Sequence, residues 1–147
     1  MIPLFVLVIS FAVFFLAGKL GVTAFHDTGF ALRCALACMF VLSASAHWGK
    51  RRPDLIRMVP PAFPDPGLLV SVSGALELLG VIGLLVPFTA RIAAICLAVM
   101  LLALFPANVY AARQHLTIGG RPVPTLPVRS AIQILFLAAL IAAAWLS

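Results

Sequence analysis

With 147 residues, 64% of them hydrophobic and 10% charged, the chain has too little polar surface for a water-soluble globule, where about 25% charge is usual. Its mean hydropathy of +1.20 makes a bilayer the natural solvent. Ten Lys or Arg against four Asp or Glu leave a net charge of +6. Nucleic-acid binding is set aside, because no basic cluster interleaves with aromatics and no soluble domain exists to present one.

Five apolar runs follow in order: Ile2–Ala17, Gly29–Trp48, Gly67–Val86, Arg91–Ala112 and Val128–Leu146. The last four match the ~20 residues that carry a helix across ~30 Å of hydrocarbon. Lipid offers no partners to backbone groups, so runs this apolar read as helices. The fold class is therefore all-α, a transmembrane helix bundle. The first run is shorter, and no Lys or Arg precedes it. A cleaved leader wants a basic start, so the run reads as an uncleaved helix, though signal-like in length. Residues 1–28 form an N-terminal segment and loop, and residues 29–147 form the main domain.

The loops alternate sides. Lys50, Arg51, Arg52, Arg57, Arg113, Arg121 and Arg129 share the side of the N-terminus, while Lys19, Arg33 and Arg91 fall opposite. This bias predicts a cytoplasmic N-terminus and cytoplasmic long loops. Lys19, directly after the first run, argues locally the other way. In "GKRRPDLIRMVPPAFPDPG" (49–67), Pro53 can open a short helical turn carrying Leu55, Ile56, Met58 and Val59. That turn could lie flat at the headgroups with Phe63 as anchor; a basic, proline-stiffened connector is the preferred reading. "PFTA" (87–90) is short enough to force an antiparallel hairpin.

The polar residues fall in one half. At ~1.5 Å rise per residue, Ser73 and Glu77 enter from the cytoplasmic side, with Glu77 near the midplane. Asn108, Gln133 and Arg129 lie within about one turn of the same side, as do Ser43 and His47 on one face of the second run. Small residues at Ser73, Gly74 and Gly80 put Glu77 on the face where helices approach closely. Ala138 with Ala142 and Ala139 with Ala143 read as the same packing device. Pro106 in "LFPANVY" cannot donate to the Leu102 carbonyl and predicts a kink facing a polar cavity. Tyr110 reads as interfacial. Gln133, Asn108 or a water is expected to partner Glu77, while Arg129 snorkels toward water. His47, beside Trp48, reads as an interfacial anchor.

His26, His47 and His115 share no ligand spacing, so no metal is expected. Cys34 and Cys96 sit at similar depth and a redox contact between them is one reading, but with no CxxC the thiols, Cys38 included, read as small apolar residues. An intramembrane acid is a functional candidate by default.

"SAHW" (45–48), "SGALELLG" (73–80) and "FPANVY" (105–110), with Arg129 and Gln133 opening the last run, resemble the DoxX-like family of small membrane proteins over about three quarters of the chain. The resemblance implies a four-helix membrane core, here with one extra N-terminal helix, in a bacterial-type cytoplasmic membrane. It implies a redox-accessory or assembly role, since the wider group includes a thiosulfate:quinone oxidoreductase subunit, a maturation factor for a disulfide-rich amine dehydrogenase, and membrane chaperones or cargo receptors. No catalytic residue carries over. The matched positions are His47, Glu77, Pro106, Asn108, Arg129 and Gln133.

Three functions stay open. The first is a non-catalytic protein with a polar cavity (Glu77, Asn108, Gln133, Arg129, His47, Ser73) for a small amphipathic ligand, such as a quinone or lipid, or for a membrane partner or second copy. The second is an accessory subunit of a quinone- or sulfur-linked oxidoreductase; the third, a proton-coupled transporter.

Overall fold

The computed structural model describes residues 2–146. Five helices in it are long and apolar enough to cross a membrane. They are α1 (Ile2–Lys19), α2 (Thr28–Trp48), α4 (Pro66–Leu85), a broken span made of α5 (Ala90–Ala103) and α6 (Phe105–Arg113), and α7 (Leu126–Trp145). A short α3 (Arg52–Met58) and a two-residue-per-strand hairpin, β1 (Thr117–Ile118) and β2 (Arg121–Pro122), complete the chain. The spans begin and end within two residues of the apolar runs, because composition alone sets what hydrocarbon accepts.

Local chemistry fixes the helix starts. The Asp27 carboxylate accepts from the Gly29 and Phe30 amides at 3.0 Å each, and Asp65 accepts from the Leu68 amide at 3.1 Å. Both are N-caps that satisfy otherwise orphaned donors. Proline occupies the first turn of α3, α4, α6 and α7, where its missing N–H removes nothing the helix would use. Pro106 thus starts α6 after the break at Leu104. The predicted kink is a one-residue break at Leu104, whose backbone stays right-handed helical.

Packing joins α2 to α4, α4 to α5, α5 to α7 and α7 back to α2, with α1 laid against α2 outside this ring. Leu36, Phe40, Leu84, Leu97 and Leu140 fill the centre, and Ala35, Ala94 and Ala143 let the helices close on one another. Ala139 is half-buried beside them, whereas Ala138 faces outward. Large apolar side chains such as Leu79, Ile82, Ile92 and Ile134 point out of the bundle. A water-soluble protein could not sustain such a surface, and a lipid-embedded one needs it.

At the end where α2 stops and α4 and α7 begin, α3 packs against α2, α4, α6 and β1. The preferred connector reading of residues 49–67 is corrected here: Met58 is buried, and α3 is a structural cap. Its Asp54 accepts from the Gly119 amide at 2.8 Å and from Arg57 at 2.5 Å. Gly119 and Gly120 both have positive φ, which a hairpin turn of this type demands and glycine supplies. The Gly119 hydrogen bond, helped by Arg57, holds the Asp54 carboxyl below its ordinary value. A depressed folded-state pKa means the bond contributes above the unfolded value of about 3.9 and is lost as pH falls through the folded value. The protection factor of the Gly119 amide, taken against the intrinsic exchange rate at each pH, should therefore be high at neutral pH and fall below pH ~4, and Asp54→Ala, which removes the acceptor, should lose most of it throughout.

Candidate functional site

Helical geometry places Glu77. Gly74 and Gly80 lie three residues to either side, about 60° around the helix from it. A Cβ on Gly74 would come within 2.7 Å of the His47 side chain on α2, and one on Gly80 within 2.5 Å of Leu97 on α5. Glu77 therefore projects between the two contact faces of α4, toward the bundle interior, and is 3% exposed. Its Oε1 accepts from the Ser43 hydroxyl at 3.3 Å. Its Oε2 is buried with no hydrogen-bond partner.

Ser43 also organises His47, whose Nδ1 lies 3.2 Å from the Ser43 carbonyl. A carbonyl can only accept, so Nδ1 carries the proton and, in the neutral ring, Nε2 remains an acceptor. Both His47 and the Glu77 carboxyl thus hang from one residue of α2. The expected interfacial role of His47 is corrected, since the ring is buried while Trp48 beside it is half-exposed. Ser73 is buried as well, but its hydroxyl donates to the Val70 carbonyl at 3.0 Å and not to Glu77.

A second polar cluster sits at the helix break. Gln133 donates to the Leu101 carbonyl at 2.8 Å, one residue before the carbonyl that Pro106 was expected to free. Asn108 donates to Gln133 Oε1 at 3.0 Å, and Arg129 donates to Asn108 Oδ1. Neither Asn108 nor Gln133 bonds Glu77, so the expected pairing with one of these two amides is corrected. Among the described residues the single predicted constellation resolves into two: Glu77–Ser43–His47 on α2 and α4, and Arg129–Asn108–Gln133 on α6 and α7. Two clefts open on the bundle, about 490 Å³ beside α1 and about 260 Å³ between α4 and α5, and both are lined by apolar or small residues. Neither is lined by the polar residues, although Leu76 and Gly80 of the second cleft flank Glu77 on α4.

Residues 36–147 match the family model described as a domain of unknown function, DUF8561. The chain belongs to that family. No curated protein matches it, and no solved structure does. The DUF8561 span runs from the middle of α2 to the end of the chain, so it holds both clusters and leaves α1 outside.

Two further cations within or beside the spans do structural work that charge counting missed. Arg52 lies inside the DUF8561 span and staples three elements, donating to the carbonyls of His47 at 2.9 Å and Gly67 at 3.0 Å and to the Ser71 hydroxyl at 3.0 Å. Arg33, just before that span, is buried against the Phe30 ring and 3.7 Å from Asp27. Its position six residues after a helix-capping Asp was the available signal. Cys34, Cys38 and Cys96 are all free thiols. No group of three or more His, Cys, Asp or Glu positioned for a metal occurs among the described residues.

The Arg129–Asn108–Gln133 chain predicts its own stability effect. Asn108→Ala removes two side-chain hydrogen bonds and strands a guanidinium, so it should cost about 1–2 kcal/mol. Ser45→Ala, at an exposed hydroxyl bonded only to the Leu42 carbonyl, should stay within about 0.5 kcal/mol. Thermal unfolding of both variants in the same detergent provides the comparison.

Proposed function

We propose that the chain is a non-catalytic membrane protein that holds the polar head of a small amphipathic molecule, lipid-like or quinone-like, at Glu77. The observation that carries this reading is the buried, unpartnered Oε2. A polar atom sealed from water without a partner is destabilising unless something supplies the missing bond. If the carboxyl is ionised, the missing partner is a ligand donor; if protonated, it is a ligand acceptor. Ser43 fixes one oxygen and thereby aims the other.

The apolar cleft between α4 and α5 supports a place for the body of such a molecule, since Leu76, directly before Glu77, and Gly80, three residues after it, line it. The charge bias supports a cytoplasmic basic end, with α3 and the hairpin on that side. The DoxX-like resemblance supports a four-helix core of α2, α4, α5–α6 and α7 with α1 added, and an accessory rather than a catalytic role.

Mass spectrometry of the organic extract from purified protein tests the reading. The native chain should retain one amphipathic species in near-stoichiometric amount, and Glu77→Leu, which can neither donate nor accept, should retain about tenfold less, the equivalent of one lost hydrogen bond. Equal retention by the two proteins would overturn it.

A further inference from the structure

The second cluster raises a different question, independent of Glu77: what neutralises Arg129? The chain has four acids. Asp27 caps α2 and pairs with Arg33. Asp54 is taken by Arg57 and Gly119. Asp65 caps α4, and Glu77 bonds Ser43. None lies within ion-pair distance of Arg129 among the described residues, yet its side chain is partly buried and its Nε is fully buried without a partner.

The hydrogen bonds around it point one way. Arg129 donates to Asn108, Asn108 to Gln133, and Gln133 to the Leu101 carbonyl. Each link uses a neutral acceptor, so the chain orients the guanidinium without supplying negative charge. Arg129 also sits in the first turn of α7, where the helix dipole disfavours a cation and favours an anion. Thr125, the residue before that turn, makes no side-chain cap bond. A helix break and two amides therefore hold in place a positive group that lacks its counter-charge. An unpaired cation in a low-dielectric setting is costly, and the same setting strengthens its attraction for an anion that arrives.

We infer that Arg129 anchors an oxyanion site at the basic end of the bundle, taking the phosphate of an anionic lipid headgroup or an equivalent free oxyanion. Guanidinium matches phosphate through paired N–H donors, and Asn108 takes up only one of its five. Arg113 and Arg121, exposed at the same end, raise the local concentration of anions. The site requires no chemistry at Glu77, and its failure would leave the amphipath reading intact.

Native mass spectrometry of the full chain, delipidated in detergent and offered equal phosphatidylglycerol and phosphatidylcholine, tests the site. The native protein should retain the anionic lipid about tenfold over the zwitterionic one. Arg129→Gln should bring the ratio near one, Arg129→Lys should fall between, and Arg91→Gln, at the opposite end against Trp145, should leave it unchanged. Thermal stabilisation by millimolar inorganic phosphate, lost in Arg129→Gln, would assign the site to a free oxyanion; lipid preference without it would assign the headgroup. A native protein that retains both lipids equally and is not stabilised by phosphate overturns the inference, whether or not the Gln variant folds. So does an Arg129→Gln protein that keeps the native preference.

Discussion

In hydrocarbon, every polar group needs a partner inside the chain, because the solvent has none to give. That constraint organises this molecule more than any single contact. Helices form because they pair their own backbones. Where Pro106 interrupts one, a side-chain amide from α7 comes to the Leu101 carbonyl. Where α2, α4 and α3 meet, Arg52 gathers two carbonyls and a hydroxyl. The same constraint makes exceptions informative. Three buried side-chain polar atoms lack partners among the described residues, one each on Arg33, Glu77 and Arg129. Arg33 has Asp27 and the Phe30 ring for compensation. The other two have neither a counter-charge nor a ring, and they define the two clusters.

The clusters differ in construction as well as in charge. Glu77 rests on close helix contact: Gly74 admits the His47 side chain, and Ser43 on the same helix as His47 reaches the carboxyl. Its setting is rigid and narrow. Arg129 rests on a broken helix, with its partners drawn from α6 and from the end of α5. An acid in the packed interior suits the head of a molecule that enters among the helices; a cation near the basic end suits an anion that arrives from the membrane surface. Both follow from where each side chain ends up in depth, about 11 residues into α4 for Glu77 and three into α7 for Arg129.

How much of this the sequence discloses varies with the kind of physics involved. The spans were legible to within about two residues, since transfer of apolar side chains is additive and needs no knowledge of neighbours. The inward turn of Glu77 was legible from Gly74 and Gly80. Its partner was not: Ser43, Gln133 and Asn108 are all at compatible depth, and only the rotation of each helix selects among them. Ser73 shared a face with Glu77 yet turned its hydroxyl back to its own helix, a local competition that spacing does not report. The hairpin at 117–122 leaves little trace in the sequence because each strand has two residues, although Gly119–Gly120 is a turn signal. Arg52 and Arg33 were counted as loop charges because a charge count does not distinguish a side chain in water from one folded back onto carbonyls or a ring.

The whole account requires that the face of α4 bearing Ser73, Glu77, Val81 and Leu84 is turned away from lipid while Val72, Leu76, Leu79 and Ile82 meet it. A nitroxide scan along residues 72–84 in bilayers, read by collision with dissolved oxygen, measures that orientation directly. The account predicts a helical period with minima at 73, 77, 81 and 84 and maxima at 72, 76, 79 and 82. A maximum at 77 would contradict it.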